Sequence, residues 1–206
     1  MKSKTKLLVV LVTILVFQIT VCAALTYKGR SKYENFPDVI GTTYEDAVLY
    51  LKAFGYSSGY PDGTYKPFNN ITRAELVTLA VAFSADAQDI IDSGEEVSNN
   101  FSDISGHWAA RNIRVAAKVG IVSGYEDGTF RPNNLVTHTE ALAMLINVHG
   151  LKNDVAELNY SWPENYILYA IDRGYSDMLN ISKYSGNANR GEVANYIANI
   201  RGVKWE

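Results

Sequence analysis

A gapless internal repeat constrains this 206-residue chain more than any other feature. Laid over residues 101–148 at a constant offset of 65, residues 36–83 meet the same residue type at many positions. Phe36, Asp38, Gly41, Gly55, Ser58, Gly59 and Tyr60 return as Phe101, Asp103, Gly106, Gly120, Ser123, Gly124 and Tyr125. Asp62, Gly63, Thr64, Pro67, Asn69, Thr72 and Glu75 return as Asp127, Gly128, Thr129, Pro132, Asn134, Thr137 and Glu140. Most of these are turn and cap residues, where backbone geometry narrows the choice, so the match reports a repeated fold unit. A third, worn copy follows. Trp162-Pro-Glu-Asn-Tyr mirrors the region of Trp108, Gly174-Tyr-Ser mirrors Gly120-Ile-Val-Ser, and Asn189-Arg-Gly-Glu mirrors Thr72-Arg-Ala-Glu. Its middle loop is two residues shorter and lacks the Asp-Gly turn.

Each copy reads as helix, loop, helix. Ala47, Val48, Leu51 and Phe54 fall on one face at helical spacing, as do Ile113, Ala116 and Ala117, and then Ile167, Ala170 and Ile171. Gly55, Gly120 and Gly174 stand where a helix C-terminus calls for a left-handed residue. The loop Gly59-Tyr-Pro-Asp-Gly-Thr-Tyr-Lys-Pro is dense in turn formers, with Asp62-Gly63 and Asp127-Gly128 supplying positive φ. The second helix opens on a capping box, Thr72-x-x-Glu75, Thr137-x-x-Glu140 and Asn189-x-x-Glu192. Leu76, Leu79, Ala80 and Phe83 give its apolar stripe, echoed by Val193, Tyr196, Ile197 and Ile200. Six short amphipathic helices cannot each bury a face alone, so the pattern predicts one all-α bundle with approximate three-fold symmetry. Residues 84–100 read as a helix tail and linker.

Ahead of the repeats, Lys2, Lys4 and Lys6 precede an apolar run from Leu7 to Val16 broken only by Thr13. With Val21-Cys22-Ala23 behind it, this reads as an export signal over residues 1–24, a retained anchor being the alternative. Bulky Val21 disfavours lipidation of Cys22, the single cysteine. A mature chain without cysteine has no disulfide, thiolate metal site or thiol nucleophile. Loss of the three lysines takes the formal charge from −3 to about −6, which argues against nucleic acid as a partner. An anionic ligand must therefore be met by local cations. With 47% hydrophobic and 20% charged residues, the chain can build a core, and disorder is excluded.

The order Phe-x-Asp, helix, Gly-Tyr-x-Asp-Gly-Thr-aromatic-basic-Pro, Thr-Arg-Ala-Glu resembles the S-layer homology module. The resemblance rests on Gly59 to Pro67, Ile71 to Glu75, Phe101-Ser-Asp-Ile-Ser-Gly-His-Trp108 and Gly124 to Pro132. It implies modules at 36–92, 101–150 and, in degenerate form, 155–203; most members append such a triplet to a large passenger, which is not expected here. It further implies a pseudo-trimer whose inter-module grooves bind an anionic secondary cell-wall polysaccharide, often bearing pyruvate ketals. The protein is then expected to be secreted and held at the cell wall or S-layer, without stable membrane insertion after cleavage. A structural adaptor holding another exported protein, with weak or no polymer binding, is the alternative.

A ketal carboxylate suits the planar fork of arginine. By the resemblance, Arg73 and Arg190, one residue into helix N-termini with amides free to assist, are the first-choice anion ligands. A solvated surface ion pair is the other reading. His138 replaces the arginine in the second copy, so its groove is expected to be weak, silent or better in acid. Trp108 and Trp162 either stack on sugar faces or pack in the core, and Tyr60, Tyr125, Ser58 and Ser123 are candidate groove residues. Asp62 and Asp127 read as turn residues without the alternating carboxylates of a calcium loop, so neither metal nor cofactor is expected. Glu75, Glu140 and Glu192 are assigned wholly to capping. With His107, His138 and His149 the only histidines, and no nucleophile elbow or phosphate loop, the chain is not expected to be an enzyme.

Overall fold

In the computed structural model, residues 34–98, 101–176 and 180–203 are described, so the export signal lies outside them. They form helices α1 (Glu45–Ala53), α2 (Arg73–Phe83), α3 (Ala85–Asp92), α4 (Ala110–Lys118), α5 (His138–Val148), α6 (Lys152–Ala156), α7 (Glu164–Asp172) and α8 (Arg190–Ile200). A 3-10 turn, Ile181–Ser185, precedes α8. The all-α class expected from the repeat holds, with two more helices than the six predicted. The stretch 84–100 is one reason: α3 is a separate helix, started by Ser84, whose hydroxyl accepts from the Ala87 amide.

All three capping boxes are complete. Thr72 Oγ1 accepts from the Glu75 amide, and Glu75 Oε2 accepts back from the Thr72 amide at 2.9 Å. Thr137 with Glu140 and Asn189 with Glu192 repeat the exchange. Each box satisfies two of the amides that a helix start leaves without partners. Gly55, Gly120 and Gly174 take positive φ just past their helices, at 73°, 77° and 67°.

The Asp of the Phe-x-Asp motif turns out to be a loop anchor. Asp38 accepts the amides of Tyr65 and Lys66, and Asp103 those of Phe130 and Arg131. Lys66 and Arg131 both sit at φ 58°, a left-handed conformation unusual for a side-chain-bearing residue. The carboxylate bonds hold that backbone in place. Gly59 and Gly124 are needed for close approach: a Cβ at either would fall 2.4 or 2.2 Å from the ring of Phe36 or Phe101.

Packing crosses the repeats. The first helix of each copy lies against the capped helix of the preceding one: α4 on α2, α7 on α5, and, closing the circle, α1 on α8. The segments before the capped helices exchange backbone bonds in the same cyclic order. Ile71 N donates to Ala188 O at 3.0 Å, Ala188 N to Val136 O at 2.9 Å, and Val136 N to Ile71 O at 3.1 Å. Ile71, Val136 and Ala188 are fully buried, and so are Tyr65, Phe130 and Tyr184, which follow one another at matching places in the three copies. Removing such side chains from water, at roughly 1.5–3 kcal/mol each, is what compensates the ordering of short helices that would not form alone.

Candidate functional site

The closed order of packing sets each arginine against the loop of another repeat. Arg73, at the start of α2, reaches the second copy: its Nε donates to Phe130 O at 2.9 Å. The guanidinium lies over the rings of Tyr125 and Phe130, 4.9 and 4.7 Å from the centroids. Arg190, at the start of α8, repeats this in the first copy. Its Nε donates to Tyr65 O at 2.8 Å, and the fork covers Tyr60 and Tyr65 at 4.7 and 4.6 Å. Both arginines are buried at 6% exposure, which excludes the solvated ion pair. Two aromatic faces and a carbonyl hold each cation in a fixed orientation.

Two expectations need correction. The helix-start amides beside these arginines are not free for an anion. Arg73 N donates to Asn134 O, Ala74 N to Pro132 O, Arg190 N to Asn69 O and Gly191 N to Pro67 O. The inter-repeat ring has consumed them, leaving the side chain as the donor. The glutamates, in turn, do more than cap. Glu75 Oε1 accepts from Tyr60 Oη at 2.5 Å and from Arg190 Nη1 at 3.3 Å. Glu140 Oε1 lies 3.7 Å from Arg73 Nη1, and Glu192 Oε2 3.9 Å from His138 Nε2. Burial pushes the Glu75 carboxyl up, but the bonds from Tyr60 and Thr72 and the charge of Arg190 outweigh it, so the group stays below its usual range. Tyr60 is pushed up to about 12 by burial and by its bond to Glu75.

These elements frame two grooves, each drawn from all three repeats. The Arg190 groove, about 630 Å³, is lined by Ser58, Gly59, Tyr60 and Glu75 of the first copy and by Trp108 and Asn133 of the second. The Arg73 groove, about 340 Å³, is lined by Ser123, Gly124, Tyr125 and Glu140 of the second copy and by Trp162, Tyr166 and Lys152 beyond it. Both volumes suit small-ligand recognition. Trp108 and Trp162 are exposed at 64% and 54%, so neither packs in the core. The two grooves thus collect Arg73, Arg190, Trp108, Trp162, Tyr60, Tyr125, Ser58 and Ser123.

His138 does not join them. It is buried, with Nδ1 2.9 Å from Tyr196 Oη. The carbonyl of Tyr184, which by position would take its bond, accepts from Thr139 Oγ1 instead. Burial lowers its pKa, with Glu192 acting in the opposite sense, so it is neutral at pH 7. Thr43 stands where Trp108 stands in the second copy, so the third position lacks the indole as well as the guanidinium. Asp62 and Asp127 serve their turns. Each accepts the amide and hydroxyl of the threonine two residues on, which with the bond from Lys66 or Arg131 lowers its pKa to about 2. Among the described residues no cluster of metal-ligating groups occurs, and no helix is long and apolar enough to cross a membrane.

The sequence profile of the S-layer homology domain matches residues 35–77 and 100–142. The chain is 39% identical over 123 residues to cell surface glycoprotein 1 of Acetivibrio thermocellus, covering 57% of this chain and 5% of that protein. It is 36% identical over 118 residues to a cellulosome-anchoring protein of the same organism, covering 57% and 26%. A cell surface protein of Thermoanaerobacter kivui is 29% identical over 196 residues, covering 94% of this chain and 24% of its own length. The chain therefore spans about a quarter or less of these relatives.

Proposed function

Since this chain carries two S-layer homology domains, at residues 35–77 and 100–142, we propose that it anchors itself to the bacterial cell surface by gripping an anionic secondary cell-wall polysaccharide. In this reading residues 155–203 act as a third, degenerate module, and the three are set about an approximate three-fold axis through the Ile71–Val136–Ala188 ring. The observation that carries the reading is the pair of grooves in which a buried, oriented guanidinium meets an exposed tryptophan. A guanidinium offers paired donors to a carboxylate such as a pyruvate ketal. The indole offers a flat apolar face to a sugar ring. Each groove is lined by a single carboxylate, Glu75 or Glu140, set against an arginine, a lining that fits binding of an anionic sugar.

A pull-down with purified cell walls tests this. The chain from residue 25 onward is expected to sediment with untreated walls and to stay in solution with walls stripped of secondary polymer. Equal sedimentation with both would refute polymer recognition. The adaptor reading finds its support in Phe68 and Ile40, exposed at 66% and 63% and lining neither groove. Under that reading, retention would follow a second exported protein and not the polymer.

A further inference from the structure

Resting on the wall-polymer reading, we infer that the two grooves divide the ligand between them. The Arg73 groove takes the polymer's monoanionic group, and Lys152 gives it that preference. The charged side chains lining the grooves differ. Arg190 faces Glu75 alone, so that groove carries no net charge. Arg73 faces Glu140 but is joined by Lys152, which leaves one uncancelled positive charge. The pairings differ in tightness as well. Glu75 sits 3.3 Å from Arg190 Nη1 and is also held by Tyr60, whereas Glu140 is 3.7 Å from Arg73. The Arg73 fork is thus the less occupied of the two.

Lys152 has no counterpart in the first copy. The position 65 residues earlier is Ala87, a buried residue of α3, and no lysine lines the Arg190 groove. In the second copy the chain turns at Gly150 and starts the short α6 with Lys152, exposed and in no ion pair among the described residues. Arg73 and Lys152 line the same groove of about 340 Å³, and the Coulomb attraction between each of them and an anion bound there rises as the distance falls. The larger Arg190 groove, with Asn133, Ser58 and Trp108, suits an uncharged stretch of the same chain.

Calorimetric binding of the polymer purified from walls, native and with its carboxyl groups reduced to alcohols, tests this. Wild type is expected to prefer the native polymer. Lys152→Gln is expected to lose roughly fivefold in affinity for it and nothing for the reduced form, while Lys152→Arg keeps the preference. Trp108→Ala is expected to weaken both forms by the same factor. Affinity that drops on carboxyl reduction identifies a carboxylate. Affinity unchanged by reduction and lost only on phosphodiester cleavage with hydrofluoric acid identifies a phosphate, in which case Lys152→Gln weakens native and reduced polymer alike. Either loss, with its matching Lys152→Gln effect, supports the assignment, and wild-type affinity that survives both treatments overturns it. Wild-type binding with Lys152→Gln indistinguishable on native polymer would overturn the division of labour while leaving polymer recognition intact. Failure of wild type to bind any form would instead remove the underlying reading.

Discussion

Asp38 and Asp103 show how far a single side chain reaches in this fold. Each carboxylate collects two loop amides and so holds Lys66 or Arg131 in the left-handed region, with its side chain over groove tyrosine Tyr60 or Tyr125. Asp103→Ala is expected to cost about 1–3 kcal/mol in urea unfolding, because two amides lose a charged acceptor. An unchanged midpoint would show the loop held by other means. His138 and His149 add a pH dependence. Burial holds both below the usual histidine range, so the unfolded chain takes up protons first. For His138 the facing groups are Glu192 and Tyr196, and for His149 the Leu145 carbonyl and Arg201. The resulting stability is complete above about pH 6.5 and declines as pH falls through that value toward the folded pKa. The urea midpoint should fall between pH 7.5 and 5.5, and by less in His138→Gln. An equal fall in the variant would clear His138 of the effect. Arg73 and Arg190 were legible in the sequence as motif residues. Their burial, and the tie of Glu75 to Tyr60 and Arg190, were not, because the partners come from another repeat or from 15 residues away.

At the scale of elements, the capping boxes and the glycines past each helix were readable directly, since each is a local rule written within four residues. Thr137→Ala is expected to destabilise by about 1 kcal/mol, the usual cost of a lost N-cap, with Thr137→Ser close to wild type. Equal losses in the two would point to packing of the methyl group and not to the cap. The helices that sequence reading missed, α3 and α6, span only eight and five residues, too short for a clear apolar period. α6 is nevertheless the element that delivers Lys152 to a groove. The exchange of partners between repeats was equally hidden. Periodicity tells which face of a helix is buried and not which neighbour buries it.

For the whole molecule, the decisive feature is that no repeat finishes its own core. α1 rests on α8, and the Ile71 amide is satisfied by Ala188, so the first copy depends on the last. A chain cut after residue 150 is therefore expected to lose cooperative unfolding. A sharp two-state transition in that fragment would show the third copy to be dispensable. The same closure assembles each groove from all three copies and leaves the third position, with His138 and Thr43, without the parts of the other two. The most direct measurement is equilibrium binding of purified wall polymer to wild type, Trp108→Ala, Trp162→Ala, the double variant and Thr43→Ala, with circular dichroism to confirm the fold. Two working grooves require each exposed tryptophan to matter, the double variant to lose binding, and Thr43→Ala to bind as wild type does. Wild-type affinity in the double variant, or loss on changing Thr43, would contradict the account.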